Sequence, residues 1–540
     1  MAAEPGFGLA FRGAPYDPPS IEVPKMSKNR TSGIVLSIIV IATLMIAMNA
    51  GRAAKASDRY LALVRRNADY MIEHGRDTYG SEHSPLFAAA LNPATGQVFE
   101  KMPPSLSGLR NGDRVFDGAN PMLDLNFYQV LYALSEITSE PKYAAEADVA
   151  LKWFCENCQS PKGLFAWGEH QGWNFRSESP SKPEGPHEFF RPWVLSDRTS
   201  QLAPEAFGCF ATGLWEHQIG DHKKGLFSRH AMEIWDLNKK SSRTGYEFPR
   251  HGGFFIAIWA SDYERSKNPI MLEAIEALVD GFESRRNPKS GAIPSQTSKP
   301  ELVWPQSNLS LAIDLWDSAP KVPATLGEKM RQCARRIDET FHKISHEPGE
   351  QGFVTAAYSS TLEPGDVRAD EAGGYKGLRW QTHAATWATG YGAPTNASIA
   401  MVTWLRYQQI QDPRYRELVI AAADVYLDTD PRIEPYVDEQ GNKVTPVIYP
   451  AALASTIALQ LAAYRATNES IYLDRADHFA EIAVDLFFDG DAPLPRVGSR
   501  PNMVWYEALT RADNLVMQLL DLWAVKNRPE LNLKLTWTER

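Results

Sequence analysis

The chain lacks a surplus of positive charge: 56 Lys and Arg face 66 Asp and Glu, a formal net charge of −10 over 540 residues. Phosphate binding needs a basic face, so the balance argues against nucleic acid as a partner. An anionic polysaccharide stays compatible only where Arg and Lys gather locally. Cysteine is scarce as well. Of the four, Cys155, Cys158, Cys209 and Cys333, the first two form a CxxC that ends a helical pattern rather than opening a helix after a strand. No second CxxC exists to complete a zinc site, and the pair reads as a structural disulfide or as two buried thiols. There is no G-x-S-x-G and no P-loop, which removes the nucleophile elbow and the phosphate-cradling loop.

Residues 1–25 are rich in Pro and Gly and read as a disordered or mis-assigned extension. Then come Met26-Ser-Lys-Asn-Arg30, the apolar run Gly33–Ala50, and Ala54-Lys55-Ala56 before Ser57. Basic residues, an apolar core and a small-residue triplet have the form of a secretory signal over 26–56. A membrane anchor is the rival, because the run sits at the lower length limit for spanning. The expectation is an exported protein, periplasmic or extracellular, that meets a membrane only if this segment is not cleaved.

The remaining residues, 57–540, are dominated by a repeat. Segments starting at Leu125, Phe254, Ala397 and Ala452 each show an apolar helix, a tight turn, then an amphipathic helix charged on one face. Weaker copies start at Phe207 and Leu309. A last apolar helix, Asn514–Trp523, lacks a following partner, which the early helix Arg59–Glu73 supplies if the ends meet. A helix apolar on most sides must be buried, and one with a charged stripe faces water. Inner and outer helices taking turns describe an all-α fold, an α/α toroid of six or seven hairpins in a single domain. A linear solenoid does not need so uniformly apolar a first helix.

In such a ring the segments before each inner helix share one rim, and they hold the residues a core does not need. Loops on a rigid scaffold often carry function. Arg250-His251-Gly252-Gly253 offers a proton acceptor beside two glycines that allow close backbone approach. Glu169-His170 and His187-Glu188 are acid/imidazole pairs within one insertion, suited to acid/base work or to an ion pair that holds the loop. Asp117 offers a carboxylate in a segment that also reads as turn chemistry. The catalytic candidates are therefore His251, Arg250, His187, Glu169, Tyr391 and Asp117. The substrate-binding candidates are Trp167, His170, Trp173, Glu188, Arg191, Tyr246, Asn308, Arg379, Trp380 and His383. Each aromatic among them serves equally well in a core. The spacing fits no standard zinc motif, so no metal or other cofactor is expected, with a divalent cation as the open alternative.

The hairpins over Ser57–Trp523, with the rim segments WGEHQGWNF, HEFFRPW and PRHGGFF, resemble the six-hairpin glycosidase-like superfamily of carbohydrate-active enzymes. That resemblance implies a polysaccharide or oligosaccharide substrate and hydrolase, lyase or epimerase chemistry. β-Elimination from a uronate glycan needs the substrate carboxylate's charge offset, a base and an acid, which Arg, His and Tyr provide. Hydrolysis needs two carboxyls flanking the glycosidic bond, roughly 5–10 Å apart. The rim is richer in the first set, which favours a polysaccharide lyase. A glycoside hydrolase, a sugar epimerase and a non-catalytic glycan-binding protein are the alternatives.

Overall fold

The computed structural model describes residues 58–540 except 244, 366, 369–378, 381, 389–393, 435, 438–442, 445–446, 491 and 532, and not the side chains of 367, 368, 379, 380 and 437. The expected extension, signal or anchor, and Tyr391, lie outside the described residues. Among the described residues fourteen helices follow one another: α1 (58–74), α2 (Leu125–Thr138), α3 (Lys142–Asn157), α4 (Ser196–Leu202), α5 (Pro204–Gln218), α6 (Pro249–Ser266) and α7 (Pro269–Arg285), then α8 (Pro305–Ser318), α9 (Ala324–Phe341), α10 (Asn396–Ile410), α11 (Pro413–Val425), α12 (Pro450–Thr467), α13 (Ser470–Phe487) and α14 (Ala512–Asn527).

Four hairpins turn by one device. Helices α2, α6, α10 and α12 end on a residue in the left-handed region: Ser139 (φ 58°), Lys267 (φ 57°), Gln411 (φ 54°) and Asn468 (φ 62°). Such a residue stops the helix and satisfies its last carbonyls. The next helix then starts almost at once. Asn268 and Asp412 cap α7 and α11 by accepting the amide hydrogens of Ile270 and Arg414, which fills one of the orphan donors of a helix start. Prolines occupy the first turn of α5, α6, α7, α8, α11 and α12, where their missing N–H costs nothing.

The inner wall runs α2–α14–α12–α10–α8–α6–α4 through successive contacts, and α3 packs on α4. The outer partner of each is α3, α1, α13, α11, α9, α7 and α5 in the same order. Tyr60 on α1 donates to Asp477 on α13 at 3.0 Å, and Lys142 on α3 reaches Asp69 on α1 at 3.0 Å. Thus α1 fills the place beside α14, the closure expected from the unpaired ends. The described residues form an α/α toroid of seven hairpins.

One repeat copy is corrected. The segment from Phe207 is not an inner helix followed by an outer one: α5 is the outer helix, and short α4 before it is the inner one. Beyond α5 the chain makes a hairpin of Ile219–Asp221 with Leu226–Phe227, then the strand His230–Ala231. Gly225, at φ 55°, lies so close to the Ala277 carbonyl that an added Cβ would sit 2.3 Å from its oxygen. A glycine turn pressed on α7 leaves no room for a helix there.

Cys155 and Cys158 are free and buried. The outer and inner layers are also pinned by charge. Arg406 on α10 makes a two-pronged bond to Asp338 on α9 at 2.8 and 2.7 Å, and Tyr415 on α11 donates to the same carboxylate at 2.8 Å. Arg406 is fully buried, so removing the carboxylate strands its charge. Asp338→Ala should cost about 3–5 kcal/mol of unfolding free energy, read as a lowered urea midpoint. A loss under about 1 kcal/mol, the size of a surface pair, would show that the guanidinium finds water.

Candidate active site

Three short segments meet on the rim, two from the connection between α3 and α4 and one from the connection between α5 and α6. The strand His187–Glu188 pairs antiparallel with His230–Ala231, with Glu188 directly opposite His230. Gly168 bridges Glu188 in parallel on the other side. Gly168 has φ 109°, and a Cβ there would lie 2.0 Å from the Glu188 carbonyl oxygen, so only glycine lets the two backbones meet. Asn120, itself buried, donates from its amide to the carbonyls of Gly168 (2.7 Å) and Gln171 (3.0 Å). That clamp holds the Glu169-His170 step against the ladder.

Because strand side chains alternate, His187 and Glu188 point opposite ways. His187 enters the core, where its Nε2 accepts from Trp167 Nε1 at 3.2 Å and burial pushes its pKa down to about 4. Glu188 faces the rim and collects imidazoles. His230 Nε2 lies 2.8 Å from Oε2, His170 Nε2 lies 3.5 Å from Oε2, and His251 Nε2 lies 3.3 Å from Oε1. Arg229 Nη1 stands 3.6 Å from Oε1. The carboxylate is 1% exposed. Burial alone would raise its pKa, but the close approach of Glu169, His170, His230 and His251 holds it well below the usual carboxylate range.

Glu169 leans on Glu188 from the other side. Burial first, then the neighbouring Glu188 carboxylate, push its pKa up to about 8, against the pull of Arg110, whose Nη2 it contacts. His170 sits among three acids: Asp113 Oδ1 at 3.2 Å from Nδ1, with Glu169 (3.4 Å) and Glu188 on the Nε2 side. Burial disfavours its cation, yet Asp113, Glu188 and Glu169 together raise its pKa to about 9. One ligand atom each from Glu169, His170, Glu188 and His230 lies within 4.8 Å of the others. With Asp113 fixing His170 Nδ1, this is the carboxylate–imidazole arrangement that presents Nε2 to a metal.

The other candidates are placed elsewhere. His251 belongs to the first turn of α6, fully buried beneath Glu188, with burial pushing its pKa down to about 3. Arg250 lies half-buried beside it, its amide donating to Ser307 Oγ at 3.2 Å. Asp117 accepts from Asn174 Nδ2 at 2.5 Å on the neighbouring hairpin, away from the cluster. Trp167 is a core residue, 4.6 Å from Trp193 and stacked on Phe189 at 5.8 Å. Trp173 packs edge-on against Trp153. Tyr246 is buried and donates to the Pro294 carbonyl at 2.8 Å. Asn308 donates to the Ile293 carbonyl at 3.0 Å. Half-buried His383 has Nδ1 3.1 Å from Thr382 Oγ1. Arg191 is buried, donating to the carbonyls of Met122 and Leu123 at 2.9 and 3.1 Å. Arg379–Trp380 forms a strand with Val367–Arg368; their side chains lie outside the described ones.

Sequence reasoning missed Arg110, Asp113, Arg229 and His230. Beside the cluster opens a cavity of about 280 Å³ whose wall includes Arg110, Asp113, Glu169, Phe190, Tyr449 and Arg511. Replacing Gly168 by Ala should disturb both ladder and site at a cost of about 1–3 kcal/mol, seen as a lowered melting temperature together with lost activity. An unchanged melting temperature would show that the ladder yields freely.

Residues 84–256 match the family described as periplasmic pectate lyase. Among solved structures, a D-mannose isomerase aligns at 11% identity and a TM-score of 0.44, covering 87% of this chain and 98% of its own. An unsaturated glucuronyl hydrolase specific for heparin aligns at 12% identity and 0.42, covering 89% and 98%. Cellobiose 2-epimerase from Spirochaeta thermophila aligns at 10% and 0.44, covering 88% and 99%. The stretch 84–256 contains Arg110, Asp113, Glu169, His170, Glu188, Arg229, His230 and His251. Over the stretch that builds this cluster, the chain is similar to periplasmic pectate lyases.

Proposed function

We propose that the chain is an exported polysaccharide lyase that cleaves a uronate-containing glycan by β-elimination and uses a divalent cation held by His170, His230, Glu188 and Glu169. The observation that carries this is the convergence of two imidazoles and two carboxylates within 4.8 Å, inside the stretch that matches periplasmic pectate lyases. Mixed nitrogen and oxygen donors suit a first-row transition metal better than Ca²⁺ or Mg²⁺, which prefer all-oxygen sites. The acids gathered around His170 fit the same reading, since a dication offsets their repulsion.

Elimination from a uronate removes the proton next to the carboxylate, and negative charge then spreads onto that carboxylate as the bond to the leaving oxygen breaks. A bound dication would draw that charge and make the proton more acidic. Arg229 and Arg110 stand beside the cluster and add positive charge on either side of it. Asp113 keeps His170 turned toward the cluster.

The geometry speaks against hydrolysis by the Glu169–Glu188 pair. A hydrolase needs its two carboxyls about 5–10 Å apart with the bond between them. These two bring carboxyl oxygens within 4.8 Å of each other, and Glu188 is buried. Export is supported by the periplasmic family match and by the signal-like segment 26–56.

Incubation with uronate polymers should give the ultraviolet band of an unsaturated uronate. A chelator should abolish it, and Mn²⁺ or Co²⁺ should restore it. New reducing ends without the band would contradict the lyase reading. Asp113→Asn should weaken metal affinity or turnover by about 10–100-fold, measured by titrating activity with metal. Unchanged metal dependence would remove Asp113 from the site.

A further inference from the structure

The residues Glu247-Phe248-Pro249, which lead into α6, grip the short stretch that carries Arg229 and His230. Glu247 Oε2 accepts the Arg229 amide and the Ser228 hydroxyl, both at 3.0 Å, and Ser228 Oγ in turn accepts the His230 amide at 3.1 Å. These bonds fix the backbone on which Arg229 stands. The next residue meets its side chain: Arg229 Cζ lies over the Phe248 ring, 5.0 Å from the centroid. That ring is itself buried and stacks on Trp304, the residue that begins α8, at 4.5 Å and 17°.

Phe248 has φ 47° and ψ 109°, an outlying conformation for so bulky a residue. Such strain persists only where the surroundings over-determine it, and it gathers at functional sites. Here the Phe248 amide donates to the Ser295 carbonyl at 2.7 Å, its carbonyl accepts the His251 amide at 3.0 Å, and Pro249 follows at once. The positive φ sets the direction in which the ring leaves the chain. Its consequence shows at the cluster. Arg229 Nη1 stops 3.6 Å from Glu188 Oε1, short of the charge-assisted hydrogen bond of about 2.7–2.9 Å that a guanidinium and a carboxylate ordinarily make. An aromatic face attracts a cation, and with the backbone fixed by Glu247 it supplies a pull against Glu188. The Arg229 side chain remains 21% exposed, so its charge reaches the rim surface.

We propose that Phe248 is a positioning residue for Arg229: it holds the guanidinium off Glu188 and keeps its charge turned to the acidic glycan, while Glu247 fixes the backbone beneath. This rests on the uronate reading above. The test follows turnover of a uronate polymer both by new reducing ends and by the ultraviolet band, in wild type, Phe248→Leu, Phe248→Tyr, Arg229→Gln and the double variant of Arg229→Gln with Phe248→Leu. Crystal structures of wild type and Phe248→Leu accompany it. Phe248→Leu should lower kcat/KM about 10–100-fold, the effect of a misplaced charged group, and Phe248→Tyr, which keeps the ring, should retain most of it. In the Phe248→Leu crystal Arg229 should close onto Glu188 at about 2.7–2.9 Å. In the Arg229→Gln background the same Leu substitution should cost under about twofold, because residues that act through one group are not additive. A merely structural role would cost the same in both backgrounds. Should Phe248→Leu not fold, Glu247→Ala carries the same comparison. Equal costs in the two backgrounds, or an unmoved Arg229 in the Phe248→Leu crystal, would overturn the proposal. Reducing ends without the band, with the coupling intact, would leave the positioning role standing and remove the lyase reading. The band with equal costs would do the reverse.

Discussion

A carboxylate almost wholly removed from water is the constraint around which the rim is built. Glu188 can remain charged there only because donors surround it, since an isolated buried carboxylate would take up a proton instead. His230 comes to it across a two-residue ladder, His251 from the start of α6 beneath, and His170 from a loop pressed against the ladder through Gly168. His170 comes from the same α3–α4 connection as Glu188, His230 from the α5–α6 connection and His251 from the first turn of α6. The site therefore exists only when these neighbouring rim segments are in register.

The ring provides that rigidity by two means. Left-handed caps at Ser139, Lys267, Gln411 and Asn468 make the inner-to-outer turns short, so rim and base are fixed in height. Buried pairs such as Arg406–Asp338 lock neighbouring hairpins, and breaking one leaves a charge with nowhere to go. The terminal segment ties α2 to α8 and brings Glu539 to the cavity. Residues at positions 110 and 539 thus face one space.

The hairpins were legible because their signal is local: an apolar helix, a turn residue, then a charged stripe. Where tertiary contact overrode local pattern, the reading failed. The copy that starts at Phe207 runs on to Trp235 in sequence, yet Gly225 pressed on α7 closes a hairpin of Ile219–Asp221 with Leu226–Phe227, and Arg229 and His230 beyond it were hidden. The aromatic stretch Leu164–Phe175 divides in a way composition alone does not reveal. Trp167 stacks in the core while Glu169 and His170, two and three residues on, reach the site. His187 and Glu188 looked equivalent in sequence, and one strand pairing sends them to opposite faces. Glu539 carried no local signal, because its place on the cavity wall comes from how the last residues fold back.

The proposed chemistry depends on whether Glu188 and its imidazoles form a metal site. Crystals grown with Mn²⁺ and measured at the manganese absorption edge would show this directly. The expected result is one anomalous peak among Glu169, His170, Glu188 and His230, roughly 2.0–2.3 Å from the Nε2 atoms of both histidines. No peak, with His230 still bonded to Glu188, would contradict it and leave the cluster as a buried brace for the rim.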